Sequence, residues 1–400
     1  MARRATRDTA IGQRIRDRRT LLKLTLRVAA DRAGISHTTL SRIERGEISA
    51  DNRFTLADIA EALRCPVTDL TGLPAAPADR DQAEAGGAVH EALQAVIGAD
   101  LDYPPDSEPV ALDALGRELE LVRGLRIRCD YIAAANRIPN LIRGLHAAAY
   151  GQERERALRG LVIAEDMTSF VIRYAGHPGS ACLVADRAHQ AAERLDDPVM
   201  LGLAAWSRGH AATGMGLYPR ALQVAQRAAT ELQPHTGEPD ALEMFGQLLM
   251  LQAFAIYAQG RDLADTTELV AEAVRIAEQT GESGALNLAF GPTNIRFWKV
   301  SMLSDGDPGA AVEIARETQP AAVESPSRQF AFYADTGRAL AHLRRDREAL
   351  RMLLTAERLS PQRMRSPIIT ETVRGLLERS KRGTGWTELR GLCERLGIGA

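Results

Sequence analysis

Four hundred residues exceed one ordinary domain and leave ample chain to bury a large core. Aromatic residues make up only 4%, while Ala, Leu, Arg and Glu abound, so the composition favours helix throughout. The formal net charge of −2 conceals an asymmetry: residues 1–50 carry a balance of +7 and the remainder −9, which suits one end to polyanions and excludes the rest.

In chain order, Met1–Ala10 carries Arg3, Arg4 and Arg7 among small residues and reads as a basic arm, residues 1–10. Two readings stay open for it: an arm that reaches a minor groove, or a solvated tail with slight non-specific affinity. A first helix near Ile11–Leu22 turns Ile11, Ile15, Leu21 and Leu22 inward and leaves Arg14, Arg18 and Arg19 outside as phosphate candidates. Thr25–Gly46 reads as two short helices and a tight turn. Ala29 and Ala30 permit a close crossing, Gly34 tolerates the left-handed backbone of a helix stop, and Ser36 caps the next helix. There Leu40 and Ile43 face inward, while His37, Thr38, Ser41 and Arg42 face out. That is a helix-turn-helix, whose second helix enters a DNA major groove. A helical hairpin that binds nothing is the bland alternative.

The string S-H-T-T-L-S-R-I-E-R-G-E, then an apolar helix Leu56–Leu63 and Pro66-Val67-Thr68-Asp69-Leu70, resembles the Xre/Cro/phage-repressor family of five-helix DNA-binding domains. Leu26 and Ala29 stand where that family often has Gln and Leu, and Arg27 is the nearest substitute for the Gln. The resemblance implies a DNA-binding domain over residues 11–72, with His37, Thr38 and Arg42 as base readers. It implies phosphate or supporting contacts from Arg27, Ser36, Thr39, Ser41 and Arg45.

Residues 73–108 lose apolar periodicity at L-P-A-A-P-A-D-R-D-Q-A-E-A-G-G and again at Tyr103-Pro104-Pro105, and read as a linker with a possible helix over Ala88–Ile97. From 109 to 400 one helical period follows another, broken every fifteen to twenty residues. The breaks H-P-G-S-A, L-Y-P-R-A-L, G-D-P-G-A-A and R-D-R-E-A-L each precede a helix that opens on small residues. Ala181 and Ala221 lie forty apart, and Ala310 and Ala349 thirty-nine. This resembles degenerate tetratricopeptide repeats, which implies an all-α superhelix of helical hairpins after the five-helix domain. First helices carry polar and aromatic residues able to line an inner surface: Asn136, Asn140 and Arg143, then Phe170, Arg173 and Tyr174. Trp206 with His210, Gln247 with Gln252, and Asn287 with Asn294 and Trp298 follow. From these, Asn140, Arg143, Tyr174, Trp206, His210, Gln252, Asn294 and Trp298 are the ligand-binding candidates, with packing or capping as the alternative role of each. Phe290-Gly291-Pro292-Thr293-Asn294 reads as a proline kink inside a continuing helix, and the string resembles one in actinobacterial regulators that join an Xre-type domain to repeats.

Cys65, Cys129, Cys182 and Cys393 lie far apart, without C-x-x-C or a His at ligand spacing, so neither a zinc site nor a disulfide framework is expected, nor any cofactor. No H-E-x-x-H, G-x-S-x-G or Gly-Lys-Ser/Thr loop occurs, which argues against an enzyme. With no signal peptide and no apolar run of eighteen residues, a cytoplasmic protein without membrane contact is expected. The plan resembles the RRNPP group of peptide-sensing quorum regulators. It implies a homodimer on a palindromic operator, controlled by a small-molecule or peptide effector in the repeat domain. The alternative keeps the DNA reader and makes the repeats a protein-interaction scaffold. The last helices, Ile368–Leu377 and Trp386–Leu396, are candidates for the dimer surface.

Overall fold

The computed structural model describes residues 8–48, 53–65, 67–71, 80–105, 110–260, 263–284, 286, 288–379 and 386–398. The basic arm read over 1–10 falls outside these residues as far as position 7, as do Pro66 and Asn287. The protein is all-α: a helix-turn-helix domain precedes a domain of antiparallel helical hairpins, as the periodicity implied. The chain divides into two compact units, one formed by Met1–Ala76, Val300–Arg316 and Ala331–Ala400, the other by Pro77–Lys299 and Glu317–Phe330.

In the first unit, α1 (Asp8–Leu21), α2 (Leu26–Arg32), α3 (His37–Glu44), α4 (Arg53–Ala62) and α5 (Val67–Thr71) enclose one small core of Ile15, Ala30, Leu40, Ile59, Leu63 and Leu70. The backbone approach is close: a Cβ on Gly12 of α1 would stand 2.3 Å from the Ile43 carbonyl oxygen of α3, so only glycine fits there.

The second unit opens with α6 (Arg80–Gly98), whose Ala92, Ala95 and Val96 are buried in the same core as α8. After α7 (Leu112–Ile127) and α8 (Tyr131–Ala148) come α9 (Arg154–Tyr174), α10 (Pro178–Leu195), α11 (Pro198–Gly214), α12 (Tyr218–Leu232), α13 (Pro239–Ala258) and α14 (Thr267–Thr280). Each packs on the next, and α11 also packs on both α9 and α13, forming a layer of first helices. Along the chain follow α15 (Pro292–Gly306) and α17 (Pro326–His342), which begin in the second unit and end in the first, and α16 (Pro308–Arg316), α18 (Asp346–Leu359), α19 (Pro367–Arg379) and α20 (Trp386–Leu396), which belong to the first.

Four second helices place a fully buried alanine at the fourth residue, Ala181, Ala221, Ala311 and Ala349, whereas α14 has Val270 there. The third is Ala311, one residue beyond the Ala310 read from sequence, because α16 begins at Pro308. Small residues oppose these alanines: the Ser169 hydroxyl donates to the Ala181 carbonyl at 3.0 Å, and a Cβ on Gly337 would stand 3.3 Å from the Ala349 carbonyl oxygen.

Two sequence readings are corrected. The F-G-P-T-N string is no kink in a helix: α14 stops at Gly281 (φ 72°), Ser283 and Phe290 exchange backbone hydrogen bonds, and Pro292 is the first residue of α15. At that position proline lacks no hydrogen bond and its fixed φ suits the helix. Gly291 holds φ 140°, and Phe290 presses so closely on α13 that a Cβ on Gly246 would lie 2.3 Å from its ring. The second correction concerns hydropathy. Helix α13 is long and apolar enough by composition to cross a membrane, yet 78% of that apolar window is buried within the protein.

Burial raises the Glu165 carboxyl of α9 to about 8, with Arg187 opposing the shift, so at neutral pH the folded chain holds a proton that the unfolded chain has released. Its contribution is present at low pH and is lost as pH rises from about 5 through 8. Glu165→Gln is expected to flatten this decline by on the order of 3 kcal/mol, measured by urea unfolding across pH 5–9.

Candidate functional site

The helix-turn-helix is held by local chemistry. The Thr25 hydroxyl accepts the Val28 N–H at 3.2 Å and caps α2, Gly34 turns the chain at φ 64°, and Ser36 caps α3 by accepting the Thr39 N–H at 3.0 Å. With Leu40 and Ile43 buried, α3 presents His37, Thr38 and Arg42 to solvent, with Ser41 and Thr39 half-buried and Arg45 exposed beyond the helix. Arg27 is exposed on α2. The Ser36 and Thr39 hydroxyls lie 2.7 Å apart and are engaged with each other as well as with the cap.

Arg42 and Arg45 share one acid that the sequence reading missed: Glu47 lies 3.7 Å from Arg42 Nε and 2.7 Å from Arg45 Nε. All three side chains are about half exposed, so these pairs are worth little and exchange readily for an anionic partner.

The arginines of α1, read from sequence as phosphate candidates, make contacts within the domain. Arg19 makes a two-pronged pair with the buried Glu44 of α3, Nε to Oε1 at 2.6 Å and Nη2 to Oε2 at 2.8 Å, and also donates to the Leu24 carbonyl. Arg18 donates to the Leu63 and Arg64 carbonyls, and Arg14 to that of Leu70, filling acceptors left by the ends of α4 and α5.

The second unit gathers side chains from its first helices. Phe170, Arg173 and Tyr174 of α9 meet Trp206 and His210 of α11, Phe254 of α13, and Trp298 of α15. Trp206 stacks on Phe170 at 5.1 Å, and His210 sits between the two indoles, 4.2 Å from Trp206 and 5.4 Å from Trp298 by ring centroids. Tyr131 closes one side, 5.2 Å from Tyr174 and 3.3 Å from the Ser327 hydroxyl.

The loop before α15 ties into this cluster. Gln247 and Asn294 both donate to the Ala289 carbonyl, at 2.7 and 2.6 Å, and the Asn294 carbonyl oxygen accepts from Arg328 Nε at 2.8 Å. Arg328 thereby lies over the Trp298 ring at 5.4 Å. Burial, with Arg173 and Arg328 nearby, holds His210 well below the usual imidazole range and keeps it neutral. Asp166, one turn before Phe170, is raised by burial to about 6, with Arg126, the Ser207 hydroxyl and Arg173 pulling it back.

Of the eight ligand candidates, Tyr174, Trp206, His210, Asn294 and Trp298 are brought together. The other three are not. Asn140 and Arg143 are exposed on α8, and Gln252 is buried with its amide directed at the Ala225 carbonyl of α12. Asp166 and Arg126 escaped the sequence reading, because an acid in the middle of α9 and an arginine in the last turn of α7 look like solvated positions until the fold buries them.

Residues 10–72 match the family described as the helix-turn-helix domain. The N-terminal five helices are a helix-turn-helix domain. No curated protein matches the chain. Solved structures similar to it include Bacillus thuringiensis PlcR in complex with the peptide PapR7 and DNA, at 15% identity and a TM-score of 0.32, covering 68% of this chain and 95% of that one. Another is the apo form of the competence regulator ComR from Streptococcus vestibularis, at 16% identity and a TM-score of 0.24, covering 75% and 99%.

The α3 surface and the Arg19–Glu44 pair call for different outcomes. Arg42→Ala should cost about 1–3 kcal/mol at one base pair and relax preference there. Arg27→Ala should weaken all DNA alike and reduce the salt slope by about 1. Glu44→Gln, which strands Arg19 against α3, should instead lower thermal stability by about 3 kcal/mol. Affinity at several salt concentrations and melting curves separate the three.

Proposed function

We propose that this protein is a sequence-specific, DNA-binding transcriptional regulator of the cytoplasm that works as a homodimer. Its helical-repeat domain senses a small ligand or signalling peptide and thereby controls operator binding. The observation that carries the reading is α3: a capped helix anchored from beneath by Leu40, Ile43 and Glu44, with His37, Thr38 and Arg42 left outward. Short polar and cationic side chains on the N-terminal part of such a helix reach base edges in the major groove. Charge supports it, since residues 1–50 carry a balance of +7 against −9 for the remainder.

The aromatic and arginine cluster of α9, α11, α13 and α15 supports a sensing role for the second part. A neutral buried histidine between two indoles, with guanidiniums against the rings, resembles a ligand enclosure more than an ordinary apolar core. A dimer places two α3 helices on a two-fold operator with half-sites about one helical turn apart or a multiple of it. An effector acts only if it favours one dimer arrangement over another. The protein acts by binding, without catalysis.

Selection of binding sites from genomic fragments by the purified protein tests this, followed by titration of the recovered site with small-molecule fractions of the producing cells. A palindromic site whose affinity shifts with one fraction is expected. No preferred site would overturn DNA reading, and a site indifferent to every fraction would favour a protein-interaction scaffold.

A further inference from the structure

The rings at the centre of the second unit bury polar atoms that nothing in the fold satisfies. Trp206 and Trp298 are 7% and 5% exposed, and neither indole N–H has a hydrogen-bond partner among the described residues. His210 Nε2, between them, is also buried and unpartnered, and so is Arg173 Nε. A buried donor left unmade is costly, and native structures keep few of them. Three donors, the two indole N–H groups and Arg173 Nε–H, thus lie unmade in one contiguous cluster with His210 Nε2, which donates or accepts according to its tautomer.

The charges point the same way. Arg173 is held between the faces of Phe170 and Tyr174, 5.0 and 4.6 Å from their centroids, and Arg126 approaches Phe170 at 5.8 Å. Arg328, fixed by the Asn294 oxygen, lies over Trp298. The charged groups acting on His210 are Arg173 and Arg328, and those acting on Asp166 are Arg126 and Arg173. Three guanidiniums thus stand against one carboxylate, around a neutral imidazole and inside walls of aromatic rings. Such an enclosure is rich in donors and positive, and its walls are flat and apolar.

We propose, building on the sensing role above, that this cluster is the effector site and binds an organic carboxylate attached to a flat apolar body. Arg173 and the indole N–H groups take the carboxylate, and the body replaces ring-on-ring contacts between Phe170, Trp206 and Trp298. Asn294 is a positioning residue that aims Arg328. A free aromatic acid and the C-terminal residue of a peptide share this chemistry.

Two of the three tryptophans of the chain are in the cluster, so their fluorescence reads the site directly once Trp386→Phe removes the third. The full-length protein is titrated with 3-phenylpropionate and N-acetylphenylalanine, with the neutral amide of each, and with acetate. Both carboxylates should give a saturable change, and the amides and acetate should bind about tenfold more weakly or worse. Stronger binding of N-acetylphenylalanine than of 3-phenylpropionate marks a peptide terminus as the source, and the reverse a free acid. Arg173→Gln should lose about tenfold in affinity or more, whereas Arg143→Gln on the exposed face of α8 should lose none. Melting curves check that each variant folds, and Arg173→Lys, which keeps the charge without the planar fork, carries the test if Arg173→Gln does not.

Equal affinity for acids and amides, or no saturable change with either carboxylate up to about 10 mM, overturns the site. Operator affinity is measured on the same samples. Carboxylate binding by a protein that selects no DNA sequence supports the site while counting against the regulator, so the two failures are distinguishable.

Discussion

Close approach of paired helices at a buried alanine, present in four of the hairpins, is the constraint on which the helical domain depends. Ala181 and Ala221 are fully buried at the fourth residues of α10 and α12, where each second helix crosses the one before it. Any larger side chain at these crossings would force the helices apart at a cost of about 1–3 kcal/mol. Because each crossing is tight, the first helix α11 also touches its neighbours α9 and α13. Rings spaced along three separate helices then come within stacking distance. The cluster of Phe170, Trp206, His210 and Phe254 is therefore a consequence of small residues elsewhere, on faces that carry no function themselves.

In the helix-turn-helix the same economy takes an ionic form. Arg19 reaches Glu44 with both prongs of its guanidinium and fixes the end of α3 to α1. Glu44 is then spent inward, and its neighbours Arg42 and Arg45 are left to the surface with only the exposed Glu47 between them. One buried pair positions the helix, and weak exposed pairs keep its cations available. The second unit keeps a comparable division, since Asn294 holds Arg328 by a neutral hydrogen bond and leaves its positive charge in place over Trp298.

What was legible in the sequence was local. Caps and a glycine turn placed α2 and α3, and three-to-four spacing placed α20, whose limits, Trp386–Leu396, match those read from periodicity. Five of the eight ligand candidates came together because the rule that first helices face inward holds for α9, α11 and α15. The failures were long-range. Nothing in the spacing of α1 tells that Arg19 pairs twenty-five residues away. Asn140 and Arg143 carry suitable chemistry on the wrong face of α8, and Asp166 looks solvated until its neighbours bury it. Pro292 misled for another reason: apolar residues flank it on both sides because they belong to two helices, not one interrupted helix.

A regulator that senses through one part and reads DNA through another must couple the two reciprocally. If an effector changes operator affinity by some factor, the operator must change effector affinity by the same factor. The decisive measurement is therefore the affinity of the full-length protein for its effector, with and without saturating operator DNA, compared with operator affinity with and without effector. The account predicts equal factors, about fivefold or more. Two affinities that each ignore the other partner would contradict it.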